Sequence, residues 1–188
     1  LEWLYQVKSD VISLASSGTG GMEACVSNLL SVGEKVLVVE GGKFGERWSE
    51  ICQAYGVIPD VLSVIPGHSV NITDLEAKLI EGNYSAVLIQ ASETSTGSKH
   101  DIQGVSQSIK KASPDTLLVV DAITALGVYD VQPEDWGLDA VVTGSQKALM
   151  LPPGLAFVWL SENAWKRTEK SNCPSYYFNL EIERKSQK

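Results

Sequence analysis

A chain of 188 residues is long enough for one domain with a substantial core. Its formal net charge of -8 and pI near 4.8 exclude the basic stripe of a backbone-tracking nucleic-acid binder. The three cysteines, Cys25, Cys52 and Cys173, are odd in number, far apart and outside any C-x-x-C spacing, so neither a disulfide framework nor a zinc site is indicated and they read as reduced packing residues.

No apolar run approaches the roughly eighteen residues of a membrane span. Leu1 opens no signal-peptide pattern, so an intracellular chain is expected, cytoplasmic in the first instance. The amphipathic pattern at Leu1, Trp3, Leu4 and Val7 starts in mid-course and the other end is a polar tail, so part of the polypeptide is expected to lie outside these residues.

In chain order, the first short apolar strand is predicted over 11–15 and the first helix over 21–30. Between them, Ser17, Gly18, Thr19, Gly20, Gly21, Met22, Glu23 and Ala24 place three glycines where free backbone N–H groups and a helix dipole make an anion site. The alternative is a tight turn. The spacing matches neither G-x-G-x-x-G, because Glu23 stands where the third glycine would be, nor G-x-x-x-x-G-K-[ST].

A second strand, 36–39, runs into Gly41, Gly42, Lys43, Phe44, Gly45, Glu46, Arg47 and Trp48, with a helix predicted over 46–55. Trp48 then lies one turn into the helix, against the core. Phe44 lies in the loop itself, where its ring can cover a flat aromatic ligand by offset stacking. A strand over 61–64 and a helix over 72–81 come next, the latter starting at Asn71 or Thr73. The next strand, 86–90, leads to Ala91, Ser92, Glu93, Thr94, Ser95, Thr96 and Gly97, which offer hydroxyls and a carboxylate or simply make a turn. A helix is predicted over 105–112.

The strand over 117–120 ends in Asp121, which could cap a helix, ligate a metal or pair with a protonated ring nitrogen. The other acids nearby, Asp130, Glu134, Asp135 and Asp139, show no ligand-like spacing with His68 or His100, so a metal site is not indicated. The strand over 140–143 runs out through Gly144, Ser145 and Gln146 into Lys147, and Pro152, Pro153 and Gly154 stiffen the loop that leads to a last strand over 156–160. Those surroundings are unusual for a solvated face, so the amine is expected to be buried, where the neutral form needed for a Schiff base is favoured. Short apolar strands alternating with helical periods predict an α/β fold with a mainly parallel sheet covered on both faces. Its strand C-termini, where such a fold places its ligand, would bring Asp121 and Lys147 to one edge.

Taken together, S-G-T-G-G-M-E-A at 17–24, G-K-F-G-E-R-W at 42–48, S-E-T-S-T-G at 92–97, V-D-A at 120–122 and G-S-Q-K at 144–147 resemble the class V aminotransferases. These are pyridoxal-phosphate enzymes of fold type I, including alanine-glyoxylate and serine-pyruvate aminotransferases, and the resemblance covers nearly the whole chain. It implies a three-layer α/β/α PLP-transferase large domain over 1–188, with a small C-terminal domain outside these residues. It implies that Lys147 carries pyridoxal 5'-phosphate as a Schiff base and that Asp121 pairs with the pyridine N1–H. By the same resemblance Thr19, Gly20 and Gly21 bind the phosphate with Gln146 close by, Phe44 stacks on the ring in place of the family's usual tryptophan or histidine, and Thr94 bonds near the phenolic oxygen. The implied activity moves an amino group from an alanine-type or serine-type donor to a glyoxylate-type or pyruvate-type 2-oxo acid by a ping-pong route, in a homodimer with no nucleic-acid or membrane partner. Two rivals share the scaffold. One is a cysteine desulfurase or related lyase, which usually has histidine over the ring, where Phe44 stands, and a reactive cysteine on a mobile C-terminal loop, for which Cys173 lies too near the core pattern; the other is a truncated, non-catalytic domain.

Overall fold

In the computed structural model, which describes residues 1–187, the chain runs α1 (Glu2–Tyr5), β1 (Val11–Ala15), α2 (Gly18–Leu29), β2 (Lys35–Glu40), α3 (Lys43–Ala54), β3 (Ile58–Ser63) and α4 (Ile72–Glu81). It continues through β4 (Ala86–Gln90), a short β5 (Ser92–Glu93) and β6 (Ser98–Lys99) hairpin, α5 (Ile102–Ala112), β7 (Leu117–Asp121), α6 (Pro133–Trp136), β8 (Ala140–Gly144), β9 (Leu155–Leu160), α7 (Glu162–Thr168) and α8 (Leu180–Ser186). Seven strands form one sheet in the order β1-β9-β8-β7-β4-β2-β3. The neighbours from β8 across to β3 pair in parallel, as expected, whereas β9 lies antiparallel between β8 and β1.

Every residue of β4, β7 and β8 is buried, which is why these strands read as unbroken apolar runs. Successive side chains feed two separate cores. Leu88, Val119 and Val142 pack with Met22, Val26 and Trp48 of α2 and α3, while Ile89, Val120 and Val141 pack with Leu75 of α4 and Val105 and Ile109 of α5. The result is the predicted three-layer α/β/α arrangement, with Trp48 fully buried as expected.

Four element starts shift for physical reasons. β3 starts at Ile58 rather than at 61, taking in Pro59, because it is an edge strand whose missing N–H costs no ladder bond. α5 starts at Ile102, where the Asp101 carboxylate accepts the Gly104 N–H at 3.0 Å. Most consequentially, α2 and α3 each begin three residues earlier than predicted, so the glycine run and Phe44 belong to first helical turns and not to loops. At the far edge, the amide of Gln187 both donates to and accepts from the backbone of Ser13, at 2.7 and 2.9 Å, and so covers part of the open edge of β1.

Candidate active site

Asp121 is the last residue of β7, level with Gln90 of β4 and Val142 of β8 in the parallel ladder. Its carboxylate is buried, and one oxygen accepts the Ile123 N–H at 2.8 Å. No helix starts there, so the bond closes a local turn rather than capping a helix. Burial pushes this carboxyl up to about 6; the Ile123 N–H opposes that, Glu93 adds to it, and the positive charges of Arg47 and Lys147 counter it.

Lys147 lies three residues past the end of β8, on the same edge as Asp121. It is exposed, contrary to the expectation of a buried amine, because the loop that carries it lies on the surface. What fixes that loop is Ser145, which is buried. Its hydroxyl donates to the Pro152 carbonyl at 2.7 Å and accepts the Leu155 N–H at 3.3 Å, and its carbonyl accepts the Leu151 N–H at 3.1 Å. The stiffness expected from the prolines is therefore shared with a serine. Within the loop, Met150 adopts a left-handed φ of 54°, a strained choice for a non-glycine residue, and donates its N–H to the Lys147 carbonyl at 3.0 Å.

The glycine run opens α2 behind the N-cap Ser17. None of its glycines has a positive φ, so a tight turn is not their purpose. Close approach is. A Cβ on Gly20 would lie 1.8 Å from the Ser16 hydroxyl and one on Gly21 would lie 2.6 Å from Val142, so the helix start can seat on β8 only without side chains. The Gly20 and Gly21 amides already donate to the Ser17 carbonyl, at 2.9 and 3.4 Å. Those of Gly18 and Thr19 find no partner among the described residues. Among the described residues, the amides left free at this helix start are accordingly those of Gly18 and Thr19, so that of the predicted set Thr19, Gly20 and Gly21 only Thr19 has an unbonded N–H. Gln146 sits against Gly144, and its side-chain oxygen is buried without a partner among the described residues.

Phe44 is half-buried in the first turn of α3, with the Arg47 guanidinium 4.7 Å from its ring centroid. Its position is set by Glu93, a fully buried carboxylate on β5. Glu93 accepts the N–H groups of Phe44 at 3.2 Å and Gly45 at 3.0 Å, and also bonds Gln90, the Ser95 N–H and the Ser95 hydroxyl. The Ser95 hydroxyl in turn accepts the Lys43 N–H at 2.9 Å. A long-range cap thus satisfies the orphan donors of α3, where the local sequence offers only Gly42. Replacing Glu93 by Ala is expected to cost about 3 kcal/mol or more, since several buried donors lose their acceptor together. Urea unfolding measures this, and a loss below about 1 kcal/mol would contradict the capping role. Thr94 is exposed, its hydroxyl 3.2 Å from that of Thr124 in the turn after Asp121.

Sequence reasoning misses Glu93 as an anchor, Arg47 as a contact of both Phe44 and Thr19, and Ser145 as the pin of the lysine loop. Only Arg47 carries a local signal: with α3 starting at Lys43, it lies one turn after Phe44 on the same face. The cysteines are free and buried, and Cys173 faces the Tyr55 carbonyl at 3.8 Å, away from Lys147, so nothing presents it as a mobile nucleophile. The assembled edge offers two amides for an anion, an aromatic wall, a buried carboxylate to accept a ring N–H, and an accessible amine.

A family model described as Aminotransferase class-V matches residues 2–180. The chain is 42% identical over 184 residues to the "Soluble hydrogenase, small subunit" of Synechococcus sp., covering 96% of this chain and 47% of that protein. It is 36% identical over 180 residues to the L-aspartate–glyoxylate aminotransferase of Paracoccus denitrificans, covering 94% and 46%. The crystal structure of an alanine–glyoxylate aminotransferase from Nostoc sp. superposes with a TM-score of 0.95 at 26% identity, over 100% of this chain and 50% of that one. The chain spans about half the length of these relatives. Among the described residues, no helix is long and apolar enough to cross a membrane.

Proposed function

Because the chain belongs to the class V aminotransferase family, whose members depend on pyridoxal 5'-phosphate, we propose that it is the cofactor-binding large domain of an aminotransferase. It moves an amino group from a small donor of the alanine or serine type to a 2-oxo acid of the glyoxylate or pyruvate type. The observation that carries this reading is the placement of Asp121 at the end of β7 and of Lys147 three residues past the end of the adjacent parallel strand β8, on the sheet edge where α2 begins.

The residues present fit the cofactor. The Gly18 and Thr19 N–H groups take its phosphate at the positive end of a helix of twelve residues. The Gln146 side-chain oxygen, buried with no partner among the described residues, is an acceptor in want of a donor. Asp121 takes the ring N–H, Phe44 covers a ring face and Thr94 bonds at the ring's hydroxyl side. When bound, pyridoxal phosphate supplies an aldehyde that captures amines and a protonated ring that draws electrons from the substrate α-carbon.

Asp121 would hold the ring N–H by pairing with it, and its burial would strengthen that pairing. Lys147 would hold the cofactor through its exposed amine, and its Nζ, once free, would take the proton from the substrate α-carbon. The order of events is ping-pong: the first keto acid leaves before the second arrives. Glyoxylate as acceptor is supported by the names of the Paracoccus and Nostoc relatives, one of which takes aspartate as donor and the other alanine. An apolar strip of Trp3, Val128, Met150 and Leu151, exposed around the lysine loop, supports the packing of a second copy there.

A half-reaction screen tests the reading. The full-length protein loaded with pyridoxal phosphate is mixed with alanine, serine or aspartate alone, and then with glyoxylate or pyruvate. The expected result is a change of cofactor absorbance with release of one keto acid per site, reversed by the acceptor. An absorbance that none of these donors changes would refute the proposal.

A further inference from the structure

We propose that Arg47 is a positioning residue of the ring-binding cradle, whose guanidinium ties the anion-binding end of α2 to the aromatic wall at the start of α3 and holds the two at a fixed spacing. The inference rests on the proposed aminotransferase function and extends it to a residue with no role in that chemistry. Arg47 is half-buried, donates to the Thr19 hydroxyl at 3.0 Å and stacks its guanidinium 4.7 Å from the Phe44 ring centroid. A planar guanidinium can present its face to an aromatic ring and an edge N–H to a hydroxyl at once, whereas an ammonium cannot do both.

Each wall is fixed from behind and the two helices share the core that holds Met22, Val26 and Trp48, but a polar link across their ligand ends has to come from a side chain above that core. Phe44 and Gly45 are held by Glu93, and α2 is seated on β8 through Gly21. Among the described residues, the other side-chain hydrogen bond between these two helices, Tyr55 to Glu23 at 2.7 Å, lies at the opposite end of α3. Arg47 is thus the link at the ligand end.

The same side chain places a permanent charge beside Asp121. The groups that face Asp121 are Arg47 from α3, Lys147 from the loop after β8, Glu93 from β5, Cys25 from α2 and Tyr129 from the segment after β7. Lys147 must give up its charge to act as nucleophile or base. Arg47 is then the cation that remains to balance Glu93 and favour the carboxylate form of Asp121 throughout turnover.

The test compares wild type, Arg47→Met and Arg47→Lys of the full-length protein for pyridoxal-phosphate affinity, for the pH dependence of that affinity, and for thermal unfolding without cofactor. Arg47→Met is expected to lose about tenfold or more in affinity and to move the pH midpoint of binding upward, because Asp121 loses a stabilising cation. Arg47→Lys is expected to keep the pH midpoint while losing several-fold in affinity, because charge survives and the stacked fork does not. Equal affinities and midpoints in all three proteins, with or without a change in thermal stability, would overturn the proposal while leaving the function standing. A wild type that binds no pyridoxal phosphate would overturn both.

Discussion

Replacing Lys147 by Ala is expected to abolish turnover, by at least about a thousandfold, with almost no change in the fold's stability. The separation of the two effects comes from the exposure of Lys147: its truncation removes no buried contact, so unfolding should shift by no more than about 0.5 kcal/mol. The loss of activity comes from chemistry alone, since no other amine lies just past β8 at the edge where Asp121 ends β7. Borohydride reduction of the loaded protein, with peptide mass mapping, gives a direct readout. The cofactor mass should appear on the peptide containing Lys147 in the wild type and on no peptide of the variant. A label on Lys43, at the start of α3, or on Lys99, in β6, would move the site and end the present assignment.

The substitution of Asp121 by Asn should produce effects of opposite sign on stability and on function. Burial raises this carboxyl to about 6 in the folded chain, against roughly 4 when unfolded. Below about pH 4 both states hold the proton and nothing is lost. As pH rises through 6 the folded chain must ionise a buried group, and the stability present in acid is lost. The full cost above pH 7 is about 3 kcal/mol, at roughly 1.4 kcal/mol per unit. Without cofactor, Asp121→Asn should therefore be more stable than wild type by about that amount at pH 8, with the advantage shrinking below pH 6 and vanishing near pH 4. The Ile123 N–H keeps its acceptor, since the asparagine oxygen can stand in for Oδ1. Cofactor affinity and turnover should fall together, because a neutral amide cannot hold the ring proton. Denaturant unfolding at three pH values, paired with a cofactor titration, measures both; a variant less stable than wild type at pH 8 would show that Asp121 is held by more than the Ile123 amide.

Much of the fold is legible in the residues because periodicity is local. The fully buried runs at 86–90, 117–121 and 140–144 announce central strands, and their ends announce Asp121 and Lys147. The starts of α2 and α3 are not legible, because their caps are distant in sequence. Glu93 reaches back from β5 to cap α3, and the glycines of α2 answer to Val142 and Ser16 rather than to a turn. For the same reason local pattern assigns Phe44 to a loop and sets the free amides one residue late. The exposure of Lys147 is masked by its small, polar neighbours, which are buried around Ser145 while the lysine itself points outward. Each of these differences concerns a tertiary contact, and none concerns an element's type.

The antiparallel insertion of β9 also governs when the molecule can become competent. Among the described residues β1 touches the sheet only through β9, with Ala15 opposite Leu155, so the strand that delivers α2 has no pairing partner until β9 has been synthesised. Closing so long a loop is entropically slow and makes this pairing a late event in folding. On a ribosome, then, the carboxylate and the amine can be in register before the free amides of α2 are seated beside them, so any anion site there forms only once β9 has emerged.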